Sequence, residues 1–360
     1  MPYGERSWIG RLQDALHAFA VKRRSIPGLR GLTGQVVLAT WMTLRVAAHP
    51  LSSGHRVSAV VRFWSWQLWR RLVNRPVLVQ FTCRAKLLCP PWSEIAGSWV
   101  SMGYHEEELV FALAFLRPGD TLIDVGANIG VYSMAAAAAG AGVVAFEPVG
   151  DARFVFETNA RLNHASERIK LLPFALADFD GTAQMTSGLE SSNRFLREGE
   201  TGASAPVAVR TLDSLTTDLD LGRGKVVLKV DAEGSDEAVL RGARSLLSTA
   251  HPAVIVEVWC GGPGVRRLLE ALGYQMYHYD SLTRRLEAIP QSFNGQGYFV
   301  AIHRDELALT EERLATAAAR PQERLAPTIL WRPPAEEGDW LNRVCAHPTM
   351  RRGPSLLGKR

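Results

Sequence analysis

The sequence predicts a doubly wound, mostly parallel α/β sheet with a helical N-terminal extension. Three observations point to it. Thr121-Leu122-Ile123 is a short apolar run that ends at Asp124, turns through Gly126 and Gly130, and enters a helical run that closes on the alanines from Ala135 to Ala139. From there to Ile302, short β-branched stretches alternate with helical ones, the mark of a parallel sheet. Charged residues collect where two of the strands end, at Glu147 and at Asp231-Ala232-Glu233, and in open α/β sheets ligands sit at such ends.

The elements follow in order. Residues 1 to 50 read as helical: Trp8, Ile9, Leu12, Leu16, Phe19 and Ala20 recur at helical spacing among Arg11, Lys22, Arg23 and Arg24, and Pro27-Gly28 ends the run. Charges recur through that stretch, which argues against a signal peptide, and the next apolar run, Val36 to Met42, is too short to span a bilayer. Residues 57 to 73 form a basic, Trp-rich helix. Val77 to Phe81 and Lys86 to Leu88 form a short strand pair, closed by Pro90 and Pro91, and His105 to Leu116 is an apolar helix led by acids.

Sheet strands are expected at 121–124, at Gly142 to Glu147, at Arg168 to Ala177 (with Pro173 as an irregularity), at Lys225 to Asp231, at Ala253 to Val258, at Tyr274 to Tyr279 and at Tyr298 to Ile302. Helices are expected at Asp151 to Leu162, from Ser235 through Leu247, and at Val265 to Leu272. Thr182 to Thr186 and Pro206 to Arg210 read as an inserted pair of short strands, with a polar, Gly-rich loop over 188–204 between them. After a short helical piece to Arg320, a Pro-bearing tail is expected to pack poorly in part, with Leu330, Trp331 and Trp340 as residues able to dock.

At 360 residues with 47% hydrophobic and 21% charged residues, the chain can bury a sizeable core without disulfides. Cys83, Cys89, Cys260 and Cys345 are scattered with no C-x-x-C spacing and no His cluster, which argues against a zinc site and fits a reducing, cytoplasmic compartment. Residues 1 to 90 carry 14 Lys and Arg against 2 acids, a net of +12 where the whole chain is +5. The remainder is therefore mildly acidic.

The chemistry concentrates at strand ends. Asp124 opens the glycine turn; a carboxylate there repels a pyrophosphate but suits a ligand that carries an ammonium group. Gly126 and Gly130 lack a Cβ and let a ligand approach the backbone. They stand four apart with Asn128 between them, so the G-x-G-x-x-G of dinucleotide enzymes is absent. Glu147, followed by Pro148, ends the second strand, where a carboxylate can accept from both hydroxyls of a ribose. Lys229, Asp231 and Glu233 cluster where a buried strand emerges, a costly arrangement unless the charges have work to do or partners to pair with.

The string Asp124-Val125-Gly126-Ala127-Asn128-Ile129-Gly130 resembles the first motif of class I S-adenosylmethionine (SAM) methyltransferases, in the variant of the FkbM-type family. L-K-V-D-A-E-G around Asp231 and V-I-V-E-V around Glu257 resemble the same family, in the same order along the chain. The resemblance covers residues 105 to 303. It implies a Rossmann-like SAM-methyltransferase fold, SAM as the cofactor, and methyl transfer to an oxygen, often a hydroxyl on a sugar, a polyketide or another natural product. It implies that Gly126, Ala127, Asn128 and Gly130 shape the cofactor turn, that Asp124 lies under the methionine end, and that Glu147 and Pro148 hold the ribose. Ala177 and Asp178 end the third strand, where the class contacts adenine; Tyr132 and Ser133, on the helix after the turn, either touch the ligand or pack. Asp231, Glu233 and Glu257 are the candidates for the base that removes the acceptor's proton, a role we place ahead of an ion pair with Lys229 or a metal site. His105, His164 and His278 stand alone and read as non-catalytic.

Three parts are therefore expected: a basic extension over 1–104, the methyltransferase domain over 105–303, and a C-terminal segment over 304–360. The expected partner is a small hydroxylated acceptor, whose pocket the extension and the 188–204 loop would shape. The basic helix either covers the core with its aromatics or meets an anionic membrane or acidic partner; we favour the covering role. No nucleic-acid reader motif accompanies the charge. Two competing readings remain: a non-catalytic, membrane-associated binding subunit, against which the acidic cluster stands, and an NAD-dependent oxidoreductase, against which the missing glycine pattern stands.

Overall fold

A computed structural model describes residues 39–40, 42–44, 46–47, 56–80, 82, 84–93, 107–187, 193–196, 199–216, 218–219, 221–258, 262–281, 283–293, 297–317, 328–330 and 338–351. The expected helix over 1–50 lies almost wholly outside the described residues, as do His105, Cys83, Cys260, Trp331 and residues 188–192 and 197–198 of the loop expected over 188–204.

The described chain begins with helix α1 (Arg56–Leu72), then the hairpin β1 (Val77–Gln80) and β2 (Lys86–Cys89), and helix α2 (Glu107–Phe115). The sheet then opens with β3 (Thr121–Val125), α3 (Val131–Ala138), β4 (Gly142–Phe146), α4 (Gly150–Leu162) and β5 (Ile169–Leu172). A small sheet follows from β6 (Ala175–Leu176), β7 (Gly181–Thr186) and β8 (Ser204–Arg210). After α5 (Leu212–Thr216) come β9 (Val226–Val230), α6 (Asp236–Arg241), α7 (Arg244–Thr249), β10 (Ala253–Val258) and α8 (Pro263–Ala271). The chain continues through β11 (Tyr274–Asp280), β12 (Arg285–Ala288), β13 (Gly297–His303) and α9 (Leu307–Ala317), and ends in β14 (Thr328–Leu330), α10 (Gly338–Ala346) and α11 (Pro348–Arg351).

The central sheet has eight strands in the order β12-β11-β13-β10-β9-β3-β4-β5. Strands β10, β9, β3, β4 and β5 are parallel neighbours, and β13 inserts antiparallel between β10 and β11. Successive residues of these strands feed opposite faces, as their all-apolar runs require. Leu122, Val143, Val227 and Ile255 join one cluster with helices α2, α3, α4 and α9; Ile123, Val144, Leu228 and Val254 join the other with α5 to α8. The sheet is therefore doubly wound, with helices on both sides.

Two elements depart from expectation. The strand expected over 168–177 is two: β5 ends before Pro173, which has no N–H to give a ladder, and β6 pairs instead with β8 in the small sheet. The helix expected from 235 through 247 breaks at Gly242, where any Cβ would lie 2.0 Å from the carbonyl oxygen of Ala177; it yields α6 and α7. Of the tail, residues 328–330 and 338–351 are described, and they dock on the rest of the chain. Strand β14 pairs antiparallel with β1, Leu341 and Met350 are buried in the core, and the Trp92 indole donates to the carbonyl of Thr349 at 2.7 Å.

The hairpin is sewn to the main sheet layer by two amides, one on α4 and one on the residue that caps its C-terminal end. Asn159 accepts from Leu88 N at 2.7 Å and donates to Ile129 O at 2.9 Å; Asn163 accepts from Lys86 N and donates to Lys86 O. Trp66 of α1 and the apolar residues of β1 and β2 share one hydrophobic cluster with α2 to α4, so the core runs through the boundary expected near residue 104.

Candidate active site

The parallel strands β3, β4 and β9 end together at one edge of the sheet, and a cleft opens there. Register fixes who meets whom. Asp124 lies opposite Lys229, Lys229 opposite Ile255, and Glu257 opposite Tyr298, so these polar side chains share one sheet face near that edge. The cleft is lined by Asp124, Gly126, Ala127, Asn128 and Tyr132, by Glu147 and Pro148, by Phe174, Met185, Asn193 and Phe195, by Lys229, Asp231, Glu233 and Ser235, and by Tyr298.

Lys229 is the hub. The residue is 3% exposed, and its ammonium lies 3.4 Å from Asp124 Oδ1 and 3.3 Å from Asp231 Oδ2. It also donates to the carbonyl oxygens of Gly126 (3.0 Å) and Val125 (3.3 Å), so one buried cation fixes the acid under the turn, the turn itself and the acid at the neighbouring strand end. Asp124 is further held by the Ser133 hydroxyl, which donates to Oδ2 at 2.7 Å. Asp231 is held a second time by the Tyr298 hydroxyl, which donates to Oδ2 at 3.0 Å. Both contacts on Asp231 fall on Oδ2, and Oδ1 receives no hydrogen bond among the described residues.

The turn after β3 is left-handed at Gly126 (φ +71°), Asn128 (φ +49°) and Gly130 (φ +92°). The expectation that its glycines clear space for a ligand is corrected. A Cβ on Gly126 would lie 2.0 Å from the Asp231 carbonyl oxygen, and one on Gly130 would lie 2.9 Å from Met134 Cε and Phe156 Cδ2. The missing side chains make room for the protein's own backbone and core, which lets the ends of β3 and β9 close on each other; Asp231 N donates to Val125 O at 3.2 Å there.

Glu147 is 6% exposed and accepts from Asn128 N (2.9 Å, on Oε2) and from Val149 N (2.8 Å, on Oε1). Burial pushes its carboxyl up to about 7, against the pull of those two N–H donors and of the Lys229 and Arg153 charges. The loop after β9 is closed by Asp236, which accepts from Ala232 N (2.9 Å) and Gly234 N (3.2 Å) and whose carboxyl burial pushes upward. Glu233 sits in that loop with φ +49° and lines the cleft.

The remaining expected site residues lie elsewhere. Gly130 and Ser133 stand behind the turn, as spacer and as hydrogen-bond partner of Asp124. Ala177 is buried against Gly242, and Asp178 points to the surface, where Arg241 Nε binds it at 2.8 Å; the contact to adenine expected of this pair finds no support in the geometry, because the chain has already turned into the small sheet. Glu257 is half-buried on β10 beside Tyr298, outside the cleft lining. Sequence reasoning missed Tyr298, Phe174, Met185, Asn193, Phe195 and Ser235, and gave Lys229 only a pairing role. A tyrosine opening the last strand was the one available signal.

The acceptor set suits a ligand rich in hydrogen-bond donors. Asp124 Oδ1 and Asn128 Oδ1 are buried without a hydrogen-bond partner among the described residues, both belong to residues lining the cleft, and Glu147 keeps one further acceptor site on each oxygen.

A family model, the methyltransferase FkbM domain, matches residues 124–276. Among solved structures, the methyltransferase FkbM from Methylobacillus flagellatus KT aligns at 14% identity over 68% of this chain and 59% of its own, with a TM-score of 0.34. The precorrin-6y C5,15-methyltransferase from Geobacter metallireducens GS-15 aligns at 11% identity over 55% of this chain and 86% of its own (TM-score 0.33). A protein from Streptococcus mutans in complex with SAH aligns at 9% identity over 55% and 96% (TM-score 0.34). These likenesses are distant, and the fold rests on the strand order above. No curated protein matches the chain.

Proposed function

We propose, for a chain whose residues 124–276 form a SAM-dependent methyltransferase domain of the FkbM family, that it methylates an oxygen of a small hydroxylated acceptor, with Asp231 as the general base. The observation that carries this reading is the pinning of Asp231 Oδ2 by Lys229 and Tyr298 at the cleft wall. That pinning fixes the carboxylate's direction and leaves Oδ1 to meet a hydroxyl.

Glu147 would hold the ribose hydroxyls, and Asp124 and Asn128 would take the N–H donors of the methionine end. When bound, SAM supplies a methyl group on a sulfonium, already electrophilic without further activation. The chain's own task is alignment and proton removal. As the acceptor oxygen took the methyl carbon, the methyl–sulfur bond would break with its electron pair returning to sulfur, S-adenosylhomocysteine would leave, and the acceptor's O–H proton would pass to Asp231. Lys229 offsets the charge of Asp124 and Asp231 so that both carboxylates tolerate their places. The aromatic wall of Phe174, Phe195 and Tyr298 would exclude water from the reacting groups.

Calorimetric titration with S-adenosylhomocysteine, followed by transfer of labelled methyl from SAM to a panel of hydroxylated acceptors, tests this. Binding together with base-stable label on an acceptor oxygen is the expected result. Tight binding with label only on nitrogen or carbon would overturn the oxygen assignment, and absence of binding to folded protein would overturn the whole reading.

A further inference from the structure

Helix α1 has two apolar faces. The inner one, Ala59, Phe63 and Trp66, is buried, partly against Val46 of the preceding segment. The outer one is Val57 (79% exposed), Val61 (57%), Leu68 (59%) and Leu72 (74%). Their spacing of four, seven and four residues sets them in one stripe along the helix. Val73 and Leu44 are exposed as well, and the only other large apolar residue exposed among the described residues is Phe179. Singly exposed apolar residues are ordinary; six of seven gathered within residues 44 to 73 are not.

The stripe is bordered by one sign of charge. Between Arg56 and Arg75 stand five arginines and no acid, and Arg56, Arg71 and Arg75 are exposed. Two tryptophans flank the stripe, with their indole N–H groups held at Thr43 Oγ1 and at the Arg75 carbonyl. An aliphatic stripe with polar groups only at its border offers little to a folded acidic partner. It does fit a surface whose interior is apolar and whose rim is anionic.

We propose that the outer face of α1 docks this protein on an anionic lipid surface, lying in the headgroup plane. No described helix is long and apolar enough to cross a membrane. The apolar stripe and the arginines act together, since each alone holds a protein at a bilayer only weakly. This inference is independent of the reaction assigned to the cleft.

The test is co-sedimentation of the full chain with vesicles of phosphatidylcholine alone and of phosphatidylcholine mixed with phosphatidylglycerol. Binding to the mixed vesicles that weakens with salt is expected, with a loss of about tenfold or more in Val61→Glu/Leu68→Glu and in Arg56→Glu/Arg71→Glu. These positions lie on the surface, and an unchanged circular dichroism spectrum and melting temperature would certify the fold of each variant. Equal binding to both vesicle types, or wild-type protein left in the supernatant, would overturn the proposal. A self-association abolished by Leu68→Glu, without vesicle binding, would assign the stripe to a second copy of the chain instead.

Discussion

The Tyr298 hydroxyl reaches across β10 to donate to Asp231 Oδ2 at 3.0 Å, so a residue of the inserted antiparallel strand orients the acid at the end of β9. Removing the acid and removing its support should differ in kind. Asp231→Asn is expected to lower kcat by about a hundredfold to ten-thousandfold, as loss of a general base does, while S-adenosylhomocysteine still binds. Tyr298→Phe keeps the ring in the cleft wall and loses only the hydrogen bond; about a tenfold fall in kcat with little change in KM is expected. Steady-state kinetics with labelled SAM checks both. An Asp231→Asn enzyme with near-normal turnover would remove the base from this site.

Lys229 is a stability element as much as a site element. Its side chain is 4% exposed and that of Asp124 is 1%, so neither charge has water to fall back on. Lys229→Met should cost about 3–5 kcal/mol, because it strands Asp124 and Asp231 near each other without the cation between them. Adding Asp124→Asn to that variant should recover part of the loss, since it removes a stranded charge. Urea unfolding of the single and double variants measures this. A Lys229→Met protein as stable as wild type would show that the ammonium does not hold the strand ends.

Glu147 gives the site a pH dependence whose sign can be worked out. Its carboxyl is raised to about 7 in the folded protein from an ordinary value of 4.5. A raised acid contributes stability that is fully present below its unfolded value and is lost as pH rises through the folded one. Between pH 5 and 8 the unliganded protein should therefore lose stability relative to Glu147→Gln, by up to roughly 3 kcal/mol. Ligand binding should run the other way. On the proposed reading, in which ribose hydroxyls donate to the carboxylate, S-adenosylhomocysteine should bind more tightly as pH rises through 7, and Glu147→Gln should flatten that slope. Calorimetry at several pH values reads the slope directly, and a flat wild-type profile would deny Glu147 the ribose.

The sequence showed these positions to the extent that local pattern decides them. Asp124, Glu147 and Asp231 each follow an apolar run buried on both faces, and a charge at such a place announces a strand end. Tyr298 had no comparable signature. Its place beside Asp231 depends on β13 inserting between β10 and β11, a pairing of segments far apart in the chain. Asn159 reads as an ordinary helix residue, yet it ties β2 to the glycine turn by its amide, a contact only the tertiary fold creates. Asp178 lies outside the cleft lining for the opposite reason. Local pattern continued the third strand past Pro173, and the proline diverted the chain so that the acid ended beside Arg241.

Gly126 separates two explanations of a glycine that the sequence alone confounds. With φ +71°, any side chain there bears the cost of a left-handed backbone, about 1–2 kcal/mol. Gly234, at φ +92°, bears the same cost, but a Cβ there meets nothing within 4 Å, whereas at Gly126 it meets the Asp231 carbonyl oxygen at 2.0 Å. Gly234→Ala should therefore lose only the backbone term. Gly126→Ala should lose about 1–3 kcal/mol more, because the ends of β3 and β9 must part. The same parting would move Asp231 away from Lys229 and Tyr298, so cofactor affinity and turnover should fall together in Gly126→Ala and far less in Gly234→Ala. Chemical unfolding and S-adenosylhomocysteine titration of the two variants, side by side, read both effects. Equal losses would mean that backbone conformation, and not the closeness of the two strand ends, is what the glycine serves.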